Sequence, residues 1–212
     1  MLSIWSLNNL INSTRKIKDE NIISHPDLEK RFSRNQIVLD FSNDDVVDNV
    51  LNQITESLKD IRVDYIKYDM NRFLGDIYSL NTRQGEIYHK YVLGVYKFMD
   101  KLLKAFPNML FENCSSGGGR FDLGMFYFSP QIWTSDNTDA VERAEIQYGT
   151  SLIYPMSCQS AHVSVCPNHQ TGRTVSMQAR HIFALTGSFG YELAPEKIEE
   201  KIVKTEKEFL RL

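Results

Sequence analysis

The feature of this sequence that most constrains its fold is an alternation of short apolar runs with longer segments of helical periodicity. The short runs are rich in β-branched and aromatic residues, which is typical of buried strands. In the longer segments apolar residues recur at intervals of three and four, so each can pack one face of a helix against a core. Strands that alternate with helices in this way indicate parallel βαβ units, in which helices cover the sheet.

Seven runs are predicted as strands: LSIW (2–5), QIVLDF (36–41), VDYIKYD (63–69), NMLFENCS (108–115), PQIWTSDN (130–137), SLIYPMSC (151–158) and SFGYEL (188–193). Helices are predicted near 46–58, 84–106, 140–148 and 176–185. A (β/α)8 barrel has eight strands and typically about 250 residues, so this chain is predicted to lack one βα unit. The expected fold is therefore α/β, an incomplete (β/α)8 TIM-type barrel (strands 2 to 8) in one partial domain over residues 1–212. The alternative is a doubly wound open sheet, but no strand is followed by its glycine fingerprint.

Charge and composition exclude several classes of partner. The 24 Lys and Arg stand against 27 Asp and Glu and form no basic block, which argues against nucleic acid. No apolar run approaches the roughly 18 to 20 residues of a membrane-spanning helix, and the first residues lack the order of a signal peptide. We therefore expect a cytoplasmic protein without a membrane partner. The cysteines lack paired spacing, so neither a disulfide framework nor a metal site is expected, and no cofactor is implied.

Polar residues recur at the carboxyl ends of the predicted strands, where (β/α)8 barrels carry their chemistry. Lys67 and Asp69 alternate along one strand, so their side chains should point to the same side. Any single acid of this kind would be interpreted as a solvated loop residue, but recurrence at successive strand ends favours a site. The other members are Asp40, Glu112, Asn113, Cys114, Asp136, Asp139, Ser157, Cys158 and Glu192.

Two carboxylates on different strand ends are what glycoside hydrolysis requires. Asp69 lies beside Lys67, whose charge should favour the ionised form that a nucleophile needs. Asp136 follows Trp133, and an aromatic neighbour could shield this carboxyl group and favour a proton donor. Asp139 is the rival for the acid role, although its position before a predicted helix favours an N-cap.

The segment ENCSSGGGRFD (112–122) places three consecutive glycines after a predicted strand. Bare backbone at such a strand end could accept a sugar ring and offer N–H donors to its hydroxyl groups. Cys114 is then a contact of the sugar or, equally well, a buried inert thiol. His162 and His169 are predicted to lie in a loop after a strand, with structural or rim roles rather than as zinc ligands.

Five segments, in this order, resemble the α-galactosidases of glycoside hydrolase family 36: YIKYDMNR, ENCSSGGGRFD, WTSDNTDAVERAEIQYGTSLIYP, AHVSVCPNHQTGR and FGYEL. The resemblance implies that Asp69 is the nucleophile and Asp136 the acid/base of a metal-free retaining glycosidase. It implies a (β/α)8 catalytic barrel between two β-domains, often assembled as a homotetramer. The substrate-binding residues that it implies are Trp5, Arg34, Lys67, Asn71, Cys114 and Gly117.

The sequence departs from the family pattern in several places. Tyr68 stands where the family usually has tryptophan, Leu28 replaces another tryptophan, and residues 6–9 replace a Phe-Glu-Pro-Glu segment. No segment resembles the first barrel strand, whose paired aspartates hold two galactose hydroxyls, or either β-domain. We therefore expect a fragment that holds both catalytic carboxylates without the whole galactose site.

The resemblance implies hydrolysis of terminal α-D-galactosyl residues from melibiose- or raffinose-type oligosaccharides by double displacement. One alternative is an α-N-acetylgalactosaminidase or galactosyl transferase on the same scaffold. Another is a sugar-binding fragment without turnover.

Overall fold

The computed structural model describes residues 21–25, 27–30, 32, 37–75 and 77–194. It forms two compact units, the first ending at Pro130 and the second beginning at Gln131. Among the helices within these ranges, none is long and apolar enough to cross a membrane.

The described part of the first unit contains three α-helices and two strands. In chain order these are α1 (Asp44–Leu58), β1 (Tyr65–Asp69), α2 (Ile87–Ala105), β2 (Leu110–Cys114) and α3 (Leu123–Phe128), with a 3-10 turn (Gln84–Glu86) before α2. The strands β1 and β2 are parallel, and their register pairs Lys67 with Glu112 and Asp69 with Cys114.

Apolar periodicity builds the core of this unit. Five residues of α1 and seven of α2 are buried. Asn43 is the N-cap of α1, and its side chain accepts a hydrogen bond from the Asp45 amide. Ile66 and Tyr68 of β1 join this core, where the ring of Tyr68 lies 5.8 Å from that of Phe98. The alternation of β1 therefore turns Lys67 and Asp69 away from the core.

The second unit contains β3 (Gln131–Ile132), α4 (Ala140–Ser151), β4 (Ser160–Ser164), α5 (Met177–Ala184) and β5 (Ser188–Glu192), with a 3-10 turn (Met156–Cys158) before β4. The strands β4 and β5 are parallel, and their register places Ala161 opposite Phe189. Ala161, Val163 and Ala184 form a small buried core between β4 and α5. Each unit is thus α/β with a parallel strand pair.

Most predicted elements are confirmed. The strands predicted at 63–69, 108–115 and 188–193 are β1, β2 and β5, and the four predicted helices are α1, α2, α4 and α5. The strand predicted at 130–137 is limited to β3, and α3 was not predicted. The strand predicted at 2–5 lies outside the described residues.

The strand predicted at 151–158 is wrong. This segment contains the end of α4 and a 3-10 turn, and the strand lies immediately after it, as β4. The prediction assumed that Leu152 and Ile153 are buried, whereas they are 69% and 79% exposed. Small Ser and Ala residues supply three of the four buried positions of β4 and Val163 supplies the fourth, so no continuous apolar run marked this strand.

The segment predicted as a strand at 36–41 makes a different contact. Leu39 forms an isolated antiparallel bridge with Ile22, where a parallel strand was expected. Asp40 is fully buried and accepts hydrogen bonds from the Ser42 amide and the Ser79 hydroxyl. Asp40 therefore joins the start of α1 to the loop before α2 and has a structural role.

Candidate active site

Four polar side chains share one face at the carboxyl ends of β1 and β2. Lys67 and Asp69 are partly exposed on β1, and their register partners Glu112 and Cys114 are buried on β2. Because side chains alternate along each strand, all four point to the side opposite the Phe98 core. The prediction that Lys67 and Asp69 point to the same side of one strand is therefore confirmed, and the register adds Glu112 and Cys114 to that side.

Glu112 is one of the predicted strand-end residues, but no role in the site was predicted for it. Its Oε1 lies 3.3 Å from the Lys67 ammonium nitrogen, and its Oε2 accepts a hydrogen bond from the Tyr65 hydroxyl. The Glu112 side chain is 1% exposed, so this carboxylate depends on its partners for stability. The pair fixes the position of the lysine ammonium group.

Asn71 connects Asp69 to the glycine-rich loop. Its amide nitrogen donates to Asp69 Oδ2 at 2.6 Å, and its amide oxygen accepts from the backbone amide and the hydroxyl of Ser116, both at 3.1 Å. Asp69 Oδ1 accepts no hydrogen bond from an N–H or O–H in the described part of the chain. Asn71 was predicted to bind substrate, and the contacts seen here orient one oxygen of Asp69.

The glycine-rich loop has a defined conformation. Ser116 and Gly117 both have positive φ, 47° and 81°, and the Ser115 amide donates to the Gly117 carbonyl at 2.9 Å. Arg120 donates to the Cys114 carbonyl at 2.8 Å, and its guanidinium carbon lies 4.5 Å from the centre of the Tyr68 ring. The loop that was expected to be open backbone is therefore held at both ends.

Cys114 is a neutral thiol in this environment. Burial, followed by the negative charge of Asp69, raises the pKa of Cys114 to about 12, although Lys67 and the Gly117 amide act in the opposite direction. A thiol protonated at neutral pH is neither a nucleophile nor a metal ligand. Cys114 can contact a bound molecule only as a small, weakly polar surface.

Asp136, in the second unit, is exposed, and the indole N–H of Trp133 donates to its Oδ1 at 3.0 Å. Trp133 itself is 3% exposed. The prediction that Trp133 shields this carboxyl group is wrong, because Asp136 is exposed, and the contact is instead a hydrogen bond from the ring nitrogen. This hydrogen bond fixes Oδ1 of the carboxylate.

The ring of Trp133 lies between two side chains. His162 stacks on it with ring centres 4.6 Å apart, and the guanidinium carbon of Arg143 lies 4.4 Å from its centre. Arg143 is buried and also donates to the carbonyls of Ser135 and Ser160. His162 belongs to β4, so the prediction that it lies in a loop is wrong, because the strand was placed too early in the sequence.

Asp139 is the N-cap of α4, as predicted. Its carboxylate accepts from the amides of Val141 and Glu142, from the Thr171 hydroxyl at 2.5 Å and from Arg173 at 2.6 Å. Burial raises the pKa of Asp139, but these hydrogen bonds and the charge of Arg173 outweigh it, so the pKa is lowered. An aspartate held ionised in this way is poorly suited to donate a proton.

Replacing Asp139 with alanine is expected to destabilise the fold by about 2 to 4 kcal/mol at pH 7, since a helix cap and a buried partner of Arg173 are lost. The folded pKa lies below the unfolded value, so this contribution is present above about pH 4 and is lost as the pH falls through the folded pKa. Urea unfolding of both proteins from pH 7 to pH 3 measures the difference. Asn43→Ala, which removes an uncharged cap from α1, is the control and should show a cost independent of pH.

Trp5 and Arg34, predicted as binding residues, lie outside the described residues. Gly117 lies beside Cys114, to whose thiol its backbone hydrogen-bonds. Alternation along β2 could have placed Glu112 with Lys67, but only the register of two strands brings them together. Within the described ranges, no group of three or more His, Cys, Asp or Glu side chains is arranged to hold a metal ion.

The comparisons with known proteins agree with this geometry. The Melibiase family profile matches residues 4–211. Alpha-galactosidase 1 of Pediococcus pentosaceus is 50% identical over 196 residues, which are 90% of this chain and 27% of the relative. The chain therefore spans about a quarter of the length of this relative.

Solved structures give the same result. The family 36 α-galactosidase AgaA of Geobacillus stearothermophilus superposes with a TM-score of 0.86 at 47% identity, covering 89% of this chain and 27% of that one. A variant of AgaA in complex with raffinose matches with a TM-score of 0.86 at 46% identity over the same shares of the two chains. The match covers almost the whole sequence, so this chain belongs to the melibiase family and corresponds to a segment of the glycoside hydrolase family 36 α-galactosidases.

Proposed function

We propose that this chain supplies the catalytic carboxylates of a retaining α-galactosidase that acts on raffinose-type oligosaccharides. The observation that carries the proposal is the group at the ends of β1 and β2, where Asp69 lies beside the Lys67–Glu112 pair with one oxygen oriented by Asn71. The chain shares about half of its aligned residues with named α-galactosidases, which supports the reaction class. The raffinose complex of AgaA supports the substrate class. Since the chain spans about a quarter of these relatives, the activity is proposed for the segment together with flanking regions like theirs.

In the first step of the proposed reaction, Asp69 Oδ1 attacks the anomeric carbon of the galactosyl group. A bond forms between this carbon and Asp69 while the bond to the leaving oxygen breaks, and Asp136 gives its proton to that oxygen. Asn71 donates a hydrogen bond to Oδ2 of Asp69, so we assign the attack to Oδ1. The Trp133 N–H occupies Oδ1 of Asp136, so we assign the transferred proton to Oδ2.

In the second step, the Asp136 carboxylate removes a proton from water, and the water oxygen attacks the anomeric carbon. The bond to Asp69 breaks and the nucleophile is regenerated. Two inversions at the same carbon give net retention. Asp139 takes no part in either step, because it is held ionised as a helix cap.

We also propose that the parallel strands of both units belong to one partial (β/α)8 catalytic domain. What supports this is the parallel α/β pattern of each unit and the match along 89% of the chain to a family 36 enzyme. In such a barrel the active face is formed at the carboxyl ends of the strands. It would include the residues that end β1 and β2 and those that follow β3.

The test of the function uses two proteins. One is the 212-residue chain, and the other is a hybrid in which this chain replaces the matching segment of Geobacillus stearothermophilus AgaA. We expect the hybrid to hydrolyse raffinose and nitrophenyl α-galactoside and to release α-galactose first, as NMR of the fresh product would show. A hybrid that folds with an ordinary unfolding transition but does not hydrolyse either substrate would contradict the proposal. It would favour a sugar-binding role without turnover.

The distance between the two carboxyl groups is a second test of retention. We expect Asp69 and Asp136 to be separated by about 5 to 6 Å in a crystal structure of the hybrid, since a direct attack leaves no room for a water molecule between nucleophile and sugar. A separation of about 8 to 9 Å in an ordered site would instead indicate an inverting reaction.

A further inference from the structure

Residues 168–173 make a continuous set of hydrogen bonds to the loop 133–139, which lies between β3 and α4 and carries Asp136. Gln170 lies across the backbone of this loop: its amide oxygen accepts from the Thr138 N–H at 2.9 Å, and its amide nitrogen donates to the Asp136 carbonyl at 3.1 Å. One side chain therefore satisfies a donor and an acceptor two residues apart, as a neighbouring strand would. The carbonyl that it holds belongs to the residue proposed as the acid/base.

The segment can hold the loop because it is itself well anchored. Asn168 is buried, and its side-chain oxygen accepts from the amides of Gln170 and Thr171, while its side-chain nitrogen donates to the Thr138 hydroxyl. The Asn168 amide also donates to the Arg173 carbonyl at 2.9 Å, which closes the segment into a tight turn. Gln170 thus extends from a rigid turn, although its own side chain is exposed.

The second anchor lies at the end of the Asp136 loop. Thr171 and Arg173 both donate to the Asp139 carboxylate, which also caps α4. The loop is therefore fixed through Asp139 by two side chains, and through its own backbone by Gln170. Asp139, which the sequence offered as the rival acid, thus anchors the end of the loop next to α4.

We propose that Gln170 is a positioning residue for proton transfer by Asp136. This inference rests on the proposed function, since it gives Gln170 a role in that same reaction. A general acid must reach the leaving oxygen within hydrogen-bond distance, and small displacements of a catalytic group reduce the rate strongly. Asp136 is exposed and its side chain has a single described hydrogen bond, from Trp133, so the position of its backbone decides where its carboxyl group lies.

The test compares two substrates that differ in how much they need the acid. The leaving group of raffinose is a basic sugar alkoxide that requires protonation, whereas that of a dinitrophenyl α-galactoside is a stable phenolate that does not. In the hybrid, Gln170→Ala is expected to lower kcat/KM for raffinose by about tenfold and for the dinitrophenyl substrate by less than about twofold. Equal losses on both substrates, or no loss on either, would overturn the proposal.

Two further variants separate the contacts. Gln170→Glu retains the acceptor for the Thr138 N–H but cannot donate to the Asp136 carbonyl, so it should show the same selective loss on raffinose. Gln178→Glu makes the same chemical change at an exposed position in the first turn of α5 and should leave both rates unchanged. A selective loss in the Gln178 variant would mean that added charge, not the Asp136 contact, is responsible.

A measurement independent of activity keeps the inference separate from the proposed function. In the 212-residue chain, hydrogen exchange at the Thr138 amide should be slow, should accelerate at least about tenfold in Gln170→Ala and should stay slow in Gln170→Glu. If exchange at Thr138 does not respond to Gln170→Ala, the contact itself is refuted. If it responds but Asp136→Ala shows no preference between the two substrates, the assignment of Asp136 fails instead.

Discussion

Replacing Asp69 with alanine in the hybrid is expected to reduce turnover by about 10⁴-fold or more, because the first bond to the anomeric carbon can no longer form. Adding azide should restore part of the rate. This small anion fits the space left by the carboxylate and attacks the same face of the sugar, so the product should be β-galactosyl azide. The measurements are kcat with an activated aryl galactoside and the anomeric configuration by NMR.

Asp69→Asn is the matched control for this experiment. It should be equally inactive, but the amide fills the space, so azide should not rescue it. The assignment would be contradicted by a normal rate in Asp69→Ala, or by an azide product of α configuration. Both variants should keep an ordinary unfolding transition, since Asp69 is partly exposed.

Replacing Asp136 with alanine should produce a loss that depends on the leaving group. We expect kcat/KM to fall by about 10²- to 10⁴-fold for raffinose, where the leaving oxygen needs a proton, and to change little for a dinitrophenyl galactoside. The plot of log(kcat/KM) against the pKa of the leaving group should therefore become steeper than in the parent hybrid. A series of aryl galactosides together with raffinose measures this slope.

Asp139→Ala is the natural comparison, since the two aspartates lie three residues apart. The Asp139 carboxylate is buried, caps α4 and is paired with Arg173. The Asp139→Ala variant should therefore lose stability and keep the slope of the parent hybrid. The reverse pattern would assign the acid to Asp139: a slope steeper than the parent's for Asp139→Ala and an unchanged slope for Asp136→Ala. The experiment thus decides between the two aspartates that the motif SDNTD offers.

Local patterns in the sequence predict much of the first unit. The positions of α1 and α2 follow from apolar residues at intervals of three and four, because each helix must bury one face. In the second unit, the helix cap at Asp139 was recognisable because this residue precedes a predicted helix. Alternation along β1 also placed Lys67 and Asp69 on one side of the strand.

Local patterns failed where burial did not follow hydrophobicity. The apolar residues Leu152 and Ile153 are exposed, while β4 contains a single large apolar residue, Val163, and is otherwise small or polar. Its buried residues pack against residues of α5 and β5. The shift of this strand also misplaced His162, which was assigned to a loop. No property of the short segment alone could distinguish these cases.

The sequence by itself determined the alternation of helices and strands, the strand-end carboxylates and the residues that resemble a family 36 site. Only the tertiary structure decided the partners of these groups. The Lys67–Glu112 pair depends on the register of two strands, and the link from Asp69 through Asn71 to Ser116 depends on how a loop folds back. The contact of Gln170 with the Asp136 loop joins residues 34 positions apart. Such contacts carry no sequence period, because a side chain finds its hydrogen-bond partner through the path of the folded backbone.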